Sequence, residues 1–317
     1  MIATDIIRVM STHKTKFDQT AAEIIIEDHL HAADPKLETI ADGETSQAFL
    51  FETEEGPRVL RVSIHSKESF LKDQMAHRQL ASAGLPIPEV FEVGEVESGL
   101  FFAISERVPG KTLDKFSREE IDALMPKIIE TLETIHSVKP LGEGYGNWDL
   151  TGNGKFKSWR EALIASASED DEETRMAEFY DEAYHDKLRA EVLALIHTCP
   201  EERVLIHDDF GFNNTLSDGT NITGVIDWEH AAYGDPLKDV AWLDFWNDKQ
   251  GYAAAFEQYY REKNTLPKDF QQRINCYKLL IGLGSLGFFA RSRQAESYQY
   301  TKEIIDRTKL ETKGLTF

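Results

Sequence analysis

Strands and helices are segregated along this chain, and that segregation constrains its fold more than any other property of the sequence. From Gly43 the pattern is extended: Gln47-Ala48-Phe49-Leu50-Phe51-Glu52, a Glu55-Gly56 turn, then Val59-Leu60-Arg61-Val62. Apolar residues on both sides of a Gly-Pro turn signal a hairpin. A helix is predicted over about 67–83, ended by Gly84, Pro86 and Pro88. Two more strands follow, at 89–95 and Leu100–Glu106, before Val108-Pro109-Gly110 breaks the pattern. Beyond that break the character is helical. Residues 121–136 and 178–197 carry apolar side chains at helical spacing, as does most of the chain from Leu237 onward. Residues 1 to about 40 also read as helix, with Ile24-Ile25-Ile26 and Leu30 on an apolar side, whereas 142–154, glycine-rich and aromatic, reads as loop. A doubly wound sheet needs strands and helices to alternate, so the expectation is an α+β fold in two parts. Residues 1–107 would hold the sheet and 108–317 the helices.

A length of 317 residues fits two moderate domains or one large one. Thirty-five Lys and Arg against 56 Asp and Glu leave a net charge of −21. Such a surface repels a phosphate backbone and an anionic membrane, so no nucleic-acid or membrane partner is expected. It leaves room for a cationic partner, or for a metal that lets a polyphosphate approach; acidity for solubility alone is the bland alternative. Cys199 and Cys276 make no disulfide framework and no CxxC spacing, which favours a reducing, cytoplasmic setting. No basic, apolar leader is visible at the N-terminus, and the longest apolar stretch, 279–290, is shorter than the ~20 residues of a membrane span.

The chemistry concentrates in His207-Asp208-Asp209-Phe210-Gly211-Phe212-Asn213-Asn214 and, after a short hairpin, Val225-Ile226-Asp227-Trp228-Glu229. An apolar strand, Val204–Ile206, runs into a carboxylate, Asp209. An amide, Asn214, follows five residues later. The hairpin, turning at Asp218-Gly219, then returns a second carboxylate, Asp227. As isolated residues these would be turn formers. Together they supply what phosphoryl transfer needs: a carboxylate for the proton of an attacking hydroxyl, and hard oxygen ligands for magnesium on the phosphates. Protein kinases use this same order of loop Asp, Asn and metal-binding Asp.

These motifs resemble the aminoglycoside phosphotransferase family, a branch of the protein-kinase-like fold. The family's His-Gly-Asp-x-x-x-x-Asn stands here as His207 to Asn214, its Ile-Asp-Trp-Glu as Ile226 to Glu229, and its Gly-Asp-Pro-x-x-Asp as Gly234-Asp235-Pro236 to Asp239. Leu85-Pro86-Ile87-Pro88-Glu89-Val90, and Gly144-Tyr145-Gly146 before Trp159-Arg160, carry the same likeness. The resemblance implies a two-lobed fold with a small antiparallel-sheet lobe and a larger helical one. It implies Asp209 as catalytic base, Asn214 and Asp227 as magnesium ligands, and ATP or GTP as phosphate donor. His207, Asp235 and Asp239 take structural roles. Asp208 departs from the family's usual Gly. Arg61 stands where the kinase template has a strand lysine, and Asp73 where it has a helix glutamate, with Glu68 as rival; Arg keeps the charge and can grip phosphate bidentately. Gly43-Glu44-Thr45-Ser46 would cover the phosphates, with the Ser46 hydroxyl contributing, and backbone near Ser105 and Arg107 would receive the base. Tyr145, Asn213, Glu229 and Trp246 are the candidate acceptor contacts. Acidic and aromatic groups suit an aminated sugar, although Trp242 and Trp246, at i and i+4, also read as core.

The implied enzyme is a magnesium-dependent kinase acting on a hydroxyl of an aminoglycoside-type, hygromycin-like antibiotic. The alternative acceptors are a macrolide, choline, homoserine or a sugar. A non-catalytic kinase-like binding protein and an HD-type metal phosphohydrolase, the latter suggested by His207-Asp208, are the rival classes. Gly282-Leu283-Gly284-Ser285-Leu286-Gly287 matches a dinucleotide fingerprint, but no strand precedes it, so it is read as helix packing.

Overall fold

The computed structural model describes residues 19–30, 37–42, 46–64, 66–97, 99–169, 172–247 and 249–312. The elements in chain order are α1 (Gln19–Leu30), β1 (Glu38–Asp42), β2 (Gln47–Thr53), β3 (Gly56–Ser63), α2 (Lys67–Leu80), β4 (Val90–Glu97), β5 (Leu100–Glu106) and β6 (Lys111–Thr112). Then come α3 (Arg118–Ser137), β7 (Tyr145–Trp148), β8 (Gly154–Phe156), α4 (Trp159–Ala167), α5 (Glu172–Arg175), α6 (Glu182–Leu195) and β9 (Val204–Ile206). The last are β10 (Thr215–Ser217), β11 (Ile222–Val225), β12 (Ala232–Gly234), α7 (Leu237–Trp246), α8 (Tyr252–Glu262), α9 (Phe270–Arg291) and α10 (Ala295–Thr312). Strands and helices are segregated, and the fold class is α+β.

The chain forms two compact units. The first comprises Met1–Lys111 with Thr215–Asp218 and Ile222–Glu229. Its main sheet has five antiparallel strands in the order β1-β2-β3-β5-β4. Alternation decides its faces. Phe49 and Phe51, Leu60 and Val62, and Phe102 and Ile104 all point one way, where Ala22, Ile25 and Ile26 of α1 cover them. Ala103 points the other way and meets Phe70 of α2 and Val90. Gly94 is required where it stands, because a Cβ there would lie 2.3 Å from the Phe102 ring. Helix α2 begins at Ser66, whose hydroxyl caps the Glu68 N–H at 3.0 Å, and the chain leaves it through Gly84 at φ 84°.

The second unit comprises Thr112–Asn214, Gly219–Asn221 and His230–Phe317. A four-stranded sheet, order β8-β7-β12-β9, carries the loop that follows β9. The 22-residue helix α9 is buried along most of its length and packs against α4, α6, α7 and α10. The Gly282 to Gly287 segment lies inside α9. Of its glycines, Gly282 makes a close approach: a Cβ there would sit 2.5 Å from Ile305 and 3.2 Å from Phe245. Among the described residues no helix is long and apolar enough to cross a membrane.

Two local expectations change. Residues 38–42 are strand, not a continuation of the N-terminal helix, because their backbone pairs with β2 from Glu38↔Leu50 to Asp42↔Gln47. The 142–154 segment is not all loop: β7 pairs with both β8 and β12. Its glycines serve the entry to β7 and the strand itself, Gly144 and Gly146 having φ near 78°. The Arg203 guanidinium fixes that entry by donating to the Gly142 and Gly144 carbonyls.

Candidate active site

In the second unit β9 delivers the loop 207–214 already braced. Asp239, fully buried near the start of α7, accepts the backbone N–H of His207 at 3.0 Å and of Asp208 at 2.7 Å, and His136 Nε2 at 2.9 Å. Burial alone would raise the Asp239 pKa; the His136 bond and the charges of His136 and His207 outweigh it and hold the carboxyl below its ordinary range. Asp235, four residues earlier, accepts Arg273 Nε at 2.8 Å, the Tyr277 hydroxyl at 2.6 Å and the Leu237 N–H at 3.0 Å, which ties the start of α7 to α9. His207 is buried edge-on to Phe210, with ring centroids 6.1 Å apart.

The loop's backbone is unusual. Asp208 and Phe212 have φ of 64° and 41°, and Gly211 has φ 114°. A Cβ on Gly211 would also lie 2.5 Å from Leu243. A left-handed L-residue costs roughly 1–2 kcal/mol. Asp208, which occupies the place of a usual glycine, is held there by the Asp239 bond to its N–H and by Lys238 Nζ on its carboxylate at 2.5 Å. Burial raises the Asp208 pKa, and Lys238 opposes the rise.

Asp209 is half-buried and Asn214 is buried. The Asn214 amide nitrogen lies 2.7 Å from the Asp209 carboxylate and 3.0 Å from the Asp209 carbonyl, while the Asn214 N–H closes a turn on the Gly211 carbonyl at 2.7 Å. The amide therefore spends its donor end orienting the carboxylate, and its oxygen remains as a hard donor atom. Asn213 beside it is exposed.

The first unit assembles a second group. Arg61 on β3 pairs with Asp73 on α2 over the Phe70 ring, 5.0 Å from the guanidinium carbon. Burial alone would lower the Arg61 pKa; Asp73, and then Asp227, outweigh it and keep the guanidinium above its ordinary range. Asp227 is half-buried with φ 64°. The next residue, Trp228, donates its N–H to the second Asp73 oxygen at 2.8 Å, and Lys72 Nζ donates to the Glu229 carbonyl at 3.1 Å. Glu68, the rival to Asp73, is 56 % exposed and lies 3.6 Å from Lys72.

The other sequence-derived residues are placed as follows. Ser46 is half-buried before β2, Ser105 is buried in β5, and Arg107 is exposed. The N–H of Glu106 donates to Glu89 at 2.8 Å and that of Arg107 to Pro57 at 3.3 Å, so a base here would use carbonyls or displace these bonds. Residues 43–45 of the expected phosphate loop lie outside the described residues. Trp246 is half-buried among Trp242, Phe245 and Phe289 at 5.0–6.2 Å. Tyr145 is not brought to the 207–214 loop. Gly146 pairs with Tyr233 and Tyr233 with Leu205, which puts Tyr145 level with the start of β9. It lines a cavity of about 710 Å³ with Glu143, Lys155, Lys157 and Arg203, three cations against one carboxylate, a balance that would oppose an ammonium ligand. Lys72, His136, Lys238 and Arg273 were not singled out from the sequence. Each acts on a partner 30 or more residues away, and no local pattern marks that.

Among the described residues no group of three or more His, Cys, Asp or Glu is placed to hold a metal. The Asn214 amide and the Asp227 carboxylate are hard oxygen donors. Each is the kind of ligand that magnesium takes, and magnesium binds one or two such protein groups and completes its shell with water and phosphate.

The sequence profile of the phosphotransferase enzyme family matches residues 36–269. Hygromycin-B 4-O-kinase of Escherichia coli is 33 % identical over 263 residues, covering 79 % of this chain and 73 % of that protein. Homoserine kinase of Methylobacillus flagellatus is 31 % identical over 218 residues, covering 65 % of this chain and 61 % of that protein. A crystal structure of a thermostable mutant of aminoglycoside phosphotransferase APH(4)-Ia, a ternary complex with AMP-PNP and hygromycin B, superimposes with a TM-score of 0.81 at 30 % identity. The match covers 91 % of this chain and 97 % of that one.

Proposed function

This chain belongs to the phosphotransferase enzyme family, and on that footing we propose that it transfers the γ-phosphate of ATP or GTP to a hydroxyl of an aminoglycoside-type, hygromycin-like acceptor. The observation that carries the reading is the Asp209 carboxylate, oriented by the Asn214 amide on a loop whose backbone Asp239 holds. Asp209 accepts the proton of the acceptor hydroxyl as its oxygen bonds to the γ-phosphorus. The bridging P–O bond breaks, and the nucleoside diphosphate leaves with its electrons. Arg61, kept charged by Asp73, binds the donor phosphates. Asn214 and Asp227 are the residues that would hold magnesium, which when bound supplies charge neutralisation on the phosphate oxygens. Asn213 and Glu229 are the acceptor contacts nearest in sequence to these groups. Likeness to hygromycin-B 4-O-kinase and to APH(4)-Ia supports the acceptor class. The homoserine kinase match favours a second reading, an amino-acid hydroxyl as acceptor.

An acceptor screen with ATP or GTP, magnesium and mass detection of the phosphorylated product tests this directly. Hygromycin B is expected to gain a phosphate, and homoserine alone gaining one would transfer the assignment to the second reading. Asp209→Ala is expected to lower turnover roughly 10²–10⁴-fold with nucleotide affinity retained. Full activity in that variant would remove Asp209 from its role, and no product from any acceptor would leave only a binding protein.

A further inference from the structure

The segment that carries Asp227 is held at two nearby backbone groups by adjacent residues of one helix. Asp73 takes the Trp228 N–H, and Lys72 gives a hydrogen bond to the Glu229 carbonyl. One hydrogen bond fixes a point and leaves the segment free to turn about it. Two bonds, to the peptide groups before Trp228 and after Glu229, from a helix packed on the sheet, fix a direction as well. Direction matters here because Asp227 holds a left-handed backbone, φ 64°, a region that aspartate enters at some cost.

The character of Lys72 is informative. Its side chain is only 7 % exposed. An ammonium so enclosed is costly unless it is hydrogen-bonded, and a methionine of similar length would pack there without that demand. The acidic neighbour on its own helix, Glu68, is 56 % exposed and 3.6 Å away, so the helix itself gives the lysine a weak partner. A nearer partner is the carbonyl two residues beyond Asp227, at 3.1 Å.

We propose that Lys72 is a positioning residue, acting through the Glu229 carbonyl to fix the orientation of Asp227, so that α2 joins the phosphate-binding Arg61 and the magnesium-binding Asp227 into one rigid assembly. This rests on the assignment of Asp227 as a magnesium ligand. Asp73 serves both sides of the assembly, one oxygen on Arg61 and the other on Trp228. Lys72 bonds the Glu229 carbonyl, on the metal side. Removing it should therefore weaken the contribution of magnesium to nucleotide binding and leave the metal-free contribution of Arg61 in place.

The test uses the full chain and two readouts. The first is amide hydrogen exchange of peptides spanning 226–230, without ligand, in wild type, Lys72→Met and Lys72→Arg. The second is calorimetric AMP-PNP affinity with and without magnesium. In Lys72→Met, exchange is expected to quicken about tenfold in that segment. The gain in AMP-PNP affinity from magnesium should shrink about five- to tenfold, while the magnesium-free affinity stays within about twofold. Lys72→Arg, which can still donate, should restore most of the gain. Unchanged exchange in Lys72→Met overturns the proposal, as does an equal loss of affinity in both arms. Asp227→Ala separates the two ideas. If it keeps the full magnesium gain, the metal assignment fails and the functional part of the proposal falls with it, whatever the exchange shows. If Lys72→Met does not fold, Lys72→Leu, which also lacks a donor, takes its place with the same expected outcomes.

Discussion

The residues with the most obvious chemistry are held in place by residues that have none to perform. Asp239 is the clearest case. Its two oxygens serve two peptide N–H groups of the loop that carries Asp209, and an imidazole from α3. Asp239→Asn replaces one oxygen with an amide NH2 that faces donors, so a buried bond becomes a repulsion. The expected loss is roughly 3 kcal/mol of unfolding free energy in urea, with a fall in turnover, since the backbone of His207 and Asp208, just before Asp209, loses its brace. Stability equal to that of wild type would mean the brace is dispensable. Asp209, Asn214 and Asp227 could be picked out of the sequence because they sit in one short stretch with fixed spacing. Asp235 and Asp239 came with them by resemblance. His136 and Arg273, which complete those contacts, come from helices 103 and 38 residues away. A residue whose meaning depends on a distant partner leaves no local trace.

Among the elements, those with strong periodicity matched their structures. β2, β3, β5, α2 and α3 lie close to where alternation and helical spacing put them. The strands the pattern did not reveal are β1, β6, β7, β8 and β12. They are two to five residues long and owe their form to the strand they pair with rather than to their own apolar pattern. Packing between elements also creates a titrating group that no sequence window shows. His185 of α6 is enclosed by Tyr180 and by Tyr298 of α10, whose hydroxyl is 3.1 Å from its Nε2. Burial first, and then the charge of Arg189, depress its pKa to about 4. The unfolded histidine titrates near 6.5. Between those values the unfolded chain binds a proton that the folded one refuses, so this contribution to stability is intact above pH 6.5 and declines as pH falls toward 4. The urea midpoint should drop across that window in wild type. His185→Gln, which keeps an acceptor for Tyr298 but cannot titrate, should drop less; an identical slope would assign the acid sensitivity elsewhere.

For the whole molecule the net charge of −21 is the dominant long-range property. With an aminated acceptor in view it becomes more than an obstacle to polyanions, because a field of that sign draws a cation in. The kcat/KM for hygromycin B is expected to fall several-fold between low salt and about 0.5 M, as the Debye length shortens, with kcat nearly constant. A flat profile would return the charge to solubility alone. The field also sharpens the demand on Arg61, which has to present positive charge to nucleotide phosphates against that background.

The first unit is not a contiguous stretch of chain: residues 1–111 are completed by Thr215–Asp218 and Ile222–Glu229. The segment bearing Asp227 and the two backbone groups held by α2 therefore reaches its partners more than a hundred residues after α2 has been synthesised. During translation the Arg61–Asp73 pair can form early, but the Trp228 and Glu229 bonds wait until the intervening chain has left the ribosome. The last part of the first unit to be made is thus the part that carries its proposed metal ligand, and a nascent chain arrested before residue 215 could build its sheet and still be unable to complete that half of the site.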